Sequence, residues 1–174
     1  MFFKTHDMPK PCHRRVIHLL RDGRDVMVSY FHYLITITRN ENLDFLELVR
    51  DGKDLFPCKW HEHTQRWLAN PYDAEILRVK YEHLKSNPLN EMRKLCRFAG
   101  LERDDEFLKT VIDHASFDSM RRREVELGWS GPWPKEKYFV RRGKVGSYQD
   151  EMPESALKYF MDEAGGALRD CGYL

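Results

Sequence analysis

The stretch "RVIHLLRDGRDVMVSYFHYL", Arg15 to Leu34, joins a short apolar run to a charged turn and then to an amphipathic segment. Val16–Leu20 has the length and apolar character of a buried β-strand, and the apolar spacing of residues 25–34 predicts a helix. Free N–H groups and the helix dipole favour an anion where such a helix begins. The stretch therefore predicts an α/β fold with an anion site at the end of this strand.

Two more strands are predicted, the stub Met1 to Phe3 and the segment "EILRV", Glu75 to Val79. Helices are predicted at residues 43–50, 59–69, 88–99, 104–115 and 153–168. Strands that alternate with helices form a parallel sheet with helices packed on its faces. The sequence therefore predicts an α/β domain with a parallel sheet flanked by helices.

Polar residues follow each predicted strand: Lys4-Thr5-His6, Arg21-Asp22-Gly23-Arg24 and Lys80-Tyr81-Glu82. Ligands of parallel sheets bind beyond the carboxyl ends of the strands. We therefore expect cations, a histidine and an aromatic ring to meet at one rim of the sheet, as an anionic nucleotide requires.

Two further segments bear on this site. Residues 121–150 are basic, rich in Gly, Pro and Trp, and without periodicity, which predicts a functional or disordered loop. Within them, "RRGKVGS" at residues 141–147 has glycines flanked by cations, as in an anion-binding loop. A solvated basic loop would have the same composition, so both interpretations stay open.

The individual side chains also allow two interpretations. Arg21 and Ser29 suit a phosphate clamp, but Arg21 could equally pair with Asp22 or Asp25, and Ser29 could bond its own backbone. Lys4 and His6 could stabilise developing charge and accept a proton, or they could belong to an ordinary polar loop.

Composition excludes several classes. The 174 residues carry a net charge of +1, which argues against a nucleic-acid binder. No apolar run approaches the ~18 residues that span a membrane, and "MFFKTHDMPK" lacks the apolar core of a signal peptide. Four scattered cysteines without a C-x-x-C pair predict no disulfide framework, so we expect a cytoplasmic protein.

The segment "CKWHEH" contains the potential metal ligands Cys58, His61 and His63. The two histidines are two positions apart on a predicted helix and therefore point in different directions. No second ligand pair completes a zinc site, so no metal is expected.

Six ordered motifs between residues 2 and 173 resemble those of the cytosolic-type sulfotransferases. These enzymes transfer a sulfuryl group from 3′-phosphoadenosine 5′-phosphosulfate (PAPS) to a hydroxyl or amine and release adenosine 3′,5′-bisphosphate (PAP). The motifs are "KTHDMP", "VIHLLRDGRDVMVSYFHY", "WHEHTQRW", "VKYEHLKSNPLNEMRKLCRFAGL", "ASFDSM" and "FVRRGKVGSY". The resemblance implies one sulfotransferase domain over residues 1–174, with the P-loop nucleotide-kinase-like fold and a small-molecule acceptor.

The resemblance also implies a role for each matching residue. His6 would be the general base and Lys4 would stabilise charge in the transition state. The 3′-phosphate would be held by Arg21 and Ser29 and by the segment "FVRRGKVGSY", residues 139–148, which is called the late loop below. The residues implied in binding PAPS or PAP are Arg21, Ser29, Tyr81, Ser116, Phe117, Met120, Arg141, Arg142 and Gly143.

One family segment has no counterpart in the sequence. The family's first strand leads into a loop of the type P-K-S-G-T-T-W that grips the 5′-phosphosulfate, and neither this loop nor G-x-x-x-x-G-K-[ST] occurs here. The resemblance therefore predicts an N-terminally truncated domain.

A non-catalytic PAP-binding remnant is the alternative function. A nucleotide kinase is disfavoured because Walker-type residues and a carboxylate pair for magnesium are missing. The sequence leaves the oligomeric state open.

Overall fold

The computed structural model describes residues 2–129, 131 and 133–174. Two parallel strands, β1 (Arg15–Leu20) and β2 (Glu75–Lys80), pair along their whole length, so that Leu20 lies opposite Lys80 at the carboxyl end. Helices pack around them, which confirms the predicted α/β class with a parallel sheet flanked by helices. Both strands end within one residue of their predicted limits.

Helices make up most of the described chain. They are α1 (Gly23–Thr38), α2 (Phe45–Asp51), α3 (Trp60–Ala69), α4 (Tyr81–Ser86), α5 (Pro88–Ala99), α6 (Asp105–His114), α7 (Phe117–Leu127), α8 (Tyr148–Glu151) and α9 (Glu154–Asp170). None of the helices in these parts of the chain is both long enough and apolar enough to cross a membrane.

Helix α1 is longer at both ends than predicted. It starts early because the Asp22 carboxylate accepts a hydrogen bond from the Arg24 N–H at 2.9 Å and caps the first turn. It ends at Thr38, because the next residue, Arg39, takes the left-handed conformation. The helix therefore extends four residues beyond its predicted end at Leu34.

The core lies where α1, α2 and α9 pack together. Met27 and Val28 of α1 meet Leu48 of α2 and the buried face of α9, which includes Phe160. Gly23 allows this packing, since a Cβ at that position would lie 2.5 Å from the Trp60 ring. The buried contacts fix the start of α1 against α3 and α9, directly after β1 ends.

The predicted strand at the N-terminus is wrong for the two residues that the structure describes there. Phe2 and Phe3 have irregular backbone and are 70% and 84% exposed; Met1 lies outside the described residues. A strand needs a neighbour to satisfy its N–H and C=O groups, and the sheet of the described residues consists of β1 and β2 alone.

The prediction of one irregular loop over residues 121–150 is only partly right. α7 continues to Leu127 and α8 forms at residues 148–151, while the described positions between 128 and 147 are irregular. The end of α7 is fixed by Glu124, whose carboxylate accepts hydrogen bonds from the N–H groups of Phe139 and Val140. This contact crosses the loop, so no local periodicity indicates it.

Candidate active site

A cavity of about 1180 Å³ opens beyond the carboxyl end of β1, beside the first turns of α1. Five residues singled out from the sequence line it: Lys4, His6, Arg21, Ser29 and Arg141. They come from the N-terminal segment, the strand end, the following helix and the late loop. The fold therefore brings distant parts of the chain to the predicted rim of the sheet.

Arg21 lies at the centre of this rim. Its guanidinium lies 4.6 Å above the Tyr81 ring, so the carboxyl ends of β1 and β2 meet through these two side chains. It forms an ion pair with Asp25 at 3.5 Å, as the alternative interpretation allowed, and donates to the Lys144 carbonyl at 3.0 Å. Its buried Nε–H has no partner among the described residues.

Asp25 is a site residue that sequence reasoning considered only as a partner for Arg21. Its side chain is fully buried, and its carboxylate accepts hydrogen bonds from the N–H groups of Gly146 at 2.8 Å and Tyr148 at 3.0 Å. These bonds tie the late loop to the first turn of α1. Asp25 therefore holds two separate segments of the candidate anion site together.

Glu151 is a second site residue that sequence reasoning did not identify. Its carboxylate accepts hydrogen bonds from Arg141, from Arg142 at 2.8 Å and from His32 Nε2 at 2.9 Å. Burial favours a raised pKa for Glu151, but the bonds from Arg141, His32 and Arg142 outweigh it and lower the pKa to about 2. The ionised carboxylate thus gathers both loop arginines, an arrangement that only the folded chain shows.

Gly143 shows why the late loop needs a glycine. Its φ is +57°, and a Cβ there would lie 2.6 Å from the Phe117 ring. Arg121 of α7 also donates to the Arg141 carbonyl at 2.7 Å. The loop is therefore seated on the start of α7, where the "ASFDSM" motif lies.

Six of the predicted nucleotide contacts flank the cavity rather than line it: Tyr81, Ser116, Phe117, Met120, Arg142 and Gly143. The Ser116 hydroxyl caps α7 by accepting from the Ser119 N–H, and Met120 follows one turn later, half-buried. Ser29, in contrast, is exposed to the cavity, and its hydroxyl makes no hydrogen bond with any part of the chain that the structure describes.

Lys4 and His6 belong to an irregular, exposed segment, which α3 holds in place. The Asp7 carbonyl accepts a hydrogen bond from Trp67 Nε1 at 3.2 Å and lies 3.2 Å from His63 Nε2. Burial lowers the pKa of His63, which favours its neutral form. The "WHEHTQRW" helix therefore positions the backbone next to His6 rather than forming a cavity wall.

One wall of the cavity is aromatic. Trp129 stacks on Phe139 with ring centroids 3.9 Å apart, Trp133 meets Phe139 edge to face at 5.1 Å, and Tyr33 stacks on Trp133 at 6.0 Å. The rings come from α1 and from the irregular loop. Sequence reasoning noted the tryptophans of this loop but did not assign them to a binding wall.

The charges in the cavity have one sign. Five of the described lining residues are Lys or Arg, and none is Asp or Glu. Across residues 2–129, 131 and 133–174, no cluster of three or more His, Cys, Asp or Glu side chains could hold a metal ion. The cavity thus combines cationic side chains with an aromatic wall.

Proteins of known activity share this sequence pattern. Sulfotransferase 1E1 of Bos taurus is 30% identical over 144 residues, which cover 78% of this chain and 48% of that protein. Sulfotransferase 1E1 of Mus musculus is 26% identical over 165 residues, covering 90% of this chain and 56% of that protein. The chain therefore spans about half the length of the curated relatives it matches.

Solved structures share the fold. A retinol dehydratase, crystallised with androsterone and the inactive cofactor PAP, superimposes with a TM-score of 0.72 at 23% identity and covers 90% of this chain and 48% of its own. Mouse sulfotransferase SULT7A1, complexed with PAP, gives 0.66 at 22% identity, with 89% of this chain and 58% of its own covered. The family model described as "Sulfotransferase domain" matches residues 2–172, and the chain belongs to this sulfotransferase family.

Proposed function

We propose that the protein transfers a sulfuryl group from PAPS to a hydroxyl group of a small-molecule acceptor. One observation carries the proposal: a single cavity is lined by Arg21, Ser29 and Arg141 and also by Lys4 and His6. The first three residues suit a phosphate, and the last two suit proton transfer and charge stabilisation. The sulfotransferases among the relatives support the same reaction class.

The nucleotide end has the chemistry that a 3′-phosphate needs. The buried Arg21 Nε–H is unpartnered among the described residues, and the Ser29 hydroxyl faces the cavity. A charged donor in such a position is an efficient phosphate ligand. We assign Arg21, Ser29 and the loop residues Arg141, Arg142 and Gly143 to the 3′-phosphate. Tyr81, Ser116, Phe117 and Met120 would surround the adenosine.

His6 and Lys4 would act on the acceptor. When bound, PAPS would supply the sulfuryl group, whose bond to the 5′-phosphate breaks as the acceptor oxygen bonds to sulfur. A ring nitrogen of His6 takes the proton that the acceptor hydroxyl loses, a role that suits histidine at neutral pH. The Lys4 ammonium stabilises the negative charge that develops beside it.

Calorimetry with PAP and 5′-AMP tests the nucleotide assignment. PAP should bind at least 10-fold more tightly, because each charge-assisted hydrogen bond to the 3′-phosphate contributes about 1.5–3 kcal/mol. Equal affinity for the two nucleotides would remove Arg21 and the late loop from phosphate binding.

Turnover of radiolabelled PAPS with a panel of phenols and alcohols tests the reaction. The His6→Ala variant should lose about 100-fold or more of kcat, as expected for a general base, with PAP affinity unchanged. PAP binding by the wild-type protein without turnover would instead support the alternative, a non-catalytic PAP-binding protein.

A further inference from the structure

His32 is a cavity residue that the proposed reaction does not use. Its ring lines the cavity, with its side chain 40% exposed, and its Nε2 lies 2.9 Å from the Glu151 carboxylate. Glu151 is itself only 15% exposed and is also bonded to Arg141 and Arg142. A carboxylate fixed by two arginines therefore holds the imidazole in one orientation.

The pair also fixes which ring nitrogen carries the hydrogen. With two guanidinium groups bonded to it, Glu151 is an ionised carboxylate, which only accepts hydrogen bonds. The hydrogen bond to Glu151 must therefore come from Nε2–H of His32. In the neutral ring, Nδ1 then keeps its lone pair and can accept a hydrogen bond from another molecule.

The position of His32 on α1 places it towards the aromatic half of the cavity. A helix rises about 1.5 Å per residue, so His32 lies about 4.5 Å along the axis beyond Ser29. The next residue, Tyr33, stacks on Trp133, and Thr36, one turn further on, also lines the cavity. His32 thus lies between the anion-binding end and the aromatic wall.

Few nitrogen atoms on the cavity surface can accept a hydrogen bond. The five Lys and Arg side chains that line the cavity can only donate hydrogen bonds, and none of the described lining residues is Asp or Glu. Besides the hydroxyl oxygens of the lining Ser, Thr and Tyr residues, the described side chains that can accept a hydrogen bond from a ligand hydroxyl are His6 and His32, and the ring of His32 is fixed by Glu151. A hydrogen-bond acceptor held in one orientation favours ligands that supply the matching donor.

We propose that His32, held by Glu151, accepts a hydrogen bond from a second hydroxyl group of the sulfuryl acceptor and so selects aromatic acceptors with two hydroxyl groups. The inference rests on the proposed function, because it requires this cavity to bind a sulfuryl acceptor. His32 is a specificity-determining residue in this scheme, and His6 remains the base.

The test compares two probes, 4,4′-dihydroxybiphenyl and 4-hydroxybiphenyl, which differ by one hydroxyl. Their binding to the PAP-loaded protein is measured by calorimetry, so the result does not depend on turnover. The wild-type protein should bind the two-hydroxyl probe about 5- to 10-fold more tightly. In His32→Leu this preference should disappear while the affinity for 4-hydroxybiphenyl stays the same, and His32→Gln, which keeps an acceptor oxygen, should retain part of it.

His83→Leu is the matched control, since His83 is exposed on α4 and does not line the cavity. It should leave the preference unchanged. Equal affinity of the wild-type protein for both probes, or no binding of either, would overturn the proposal, and so would equal weakening of both probes in His32→Leu. If His32→Leu does not fold, nitrogen NMR of the wild-type protein can show which ring nitrogen of neutral His32 carries the hydrogen. Hydrogen on Nδ1 would contradict the proposal, which requires it on Nε2. Failure of PAP itself to bind would instead refute the proposed function.

Discussion

The two ends of the cavity present different chemistry to a ligand. At the end that we propose binds phosphate, called the phosphate end below, Asp25 accepts hydrogen bonds from two backbone N–H groups of the late loop, and Glu151 holds two arginines. At the aromatic end, Tyr33, Trp133 and Phe139 meet through ring contacts of 5.1 to 6.0 Å, and Trp133 also donates a hydrogen bond to the Lys137 carbonyl at 2.8 Å. A ligand therefore meets charged side chains at the first end and mainly ring surfaces at the second.

This difference explains what each end can recognise. Directional bonds between charged groups require a particular residue at a particular place, which suits a ligand group of constant shape such as a phosphate. Ring contacts tolerate changes in size and outline, which suits a variable ligand. Substitutions at the phosphate end should therefore have the larger effects, and those at the aromatic end should change ligand preference.

Asp25→Ala should have the largest effect. It leaves the N–H groups of Gly146 and Tyr148 without a partner and removes the ion pair of Arg21. Removal of one member of a buried ion pair costs about 3–5 kcal/mol, and urea unfolding should show a loss of this size. Asp25→Asn, which keeps one acceptor oxygen, should lose less. An Asp25→Ala variant within 1 kcal/mol of the wild-type protein would show that the loop is held in another way.

Arg21→Ala should weaken PAP binding by about 10- to 100-fold and leave 5′-AMP binding nearly unchanged, because the lost bond is to the 3′-phosphate. Calorimetry measures both affinities. Arg15→Ala is the matched control, since Arg15 lies at the opposite end of β1 and pairs with Glu75 at 3.0 Å. Equal losses for PAP and 5′-AMP would mean that Arg21 supports the fold of the site rather than the phosphate.

Lowering the pH should reduce the stability that ionised Glu151 gives to the phosphate end before it affects the aromatic end. Although burial alone would raise the pKa of Glu151, the bonds from Arg141, His32 and Arg142 lower it to about 2, below the ordinary value near 4.5. A lowered carboxyl pKa stabilises the folded state above the ordinary value, and this contribution is lost as the pH falls from about 4.5 to about 2.

Glu151→Gln should therefore flatten the dependence of the unfolding free energy on pH in this window, as measured by urea unfolding at several pH values. Glu154→Gln is the control, since Glu154 is exposed and makes no ion pair with the described residues. The same pH slope in Glu151→Gln and in the wild-type protein would show that the arginine contacts of Glu151 do not stabilise the fold.

The strand, the turn and the helix start beside Arg21 were predictable from the sequence because they are local. The strand β1, the turn at Arg21 and the start of α1 are consecutive, so apolar spacing and charge were enough to predict that Arg21 and Ser29 lie near one another, and both line the cavity. The role of Asp25 was not predictable, since its partner Gly146 lies 121 residues away. Glu151 bonds His32, 119 residues away, and also Arg141 and Arg142, which are near in the sequence but carry no pattern that selects Glu151 over the neighbouring acidic residues. Acidic residues are common, and only the folded chain shows which are buried.

The aromatic end and the N-terminus show features that local sequence patterns do not predict. Trp129 and Phe139 stack across an irregular loop, and no periodic pattern marks such a contact. Phe2 and Phe3 are residue types that favour strands, but both are exposed and irregular. A strand forms only beside a neighbouring strand, and residue type alone does not show whether one is present. Local patterns therefore predict helices and strand ends better than they predict the packing of loops.

Trp133→Leu should have the smallest effect and should act on the acceptor alone. The substitution removes a ring from the cavity wall, with its contacts to Tyr33 and Phe139 and its hydrogen bond to the Lys137 carbonyl. A contact between this ring and an aromatic ligand contributes about 0.5–1.5 kcal/mol. The affinity of the PAP-loaded protein for 4-hydroxybiphenyl should fall about 3- to 10-fold, as measured by calorimetry, while PAP affinity stays constant. Phe107→Leu controls for the loss of an aromatic ring elsewhere, since Phe107 is half exposed on α6 and does not line the cavity. If Trp133→Leu lowers the affinity for PAP as much as the affinity for 4-hydroxybiphenyl, the two ends of the cavity bind their ligands as one unit. The distinction drawn between them would then be wrong.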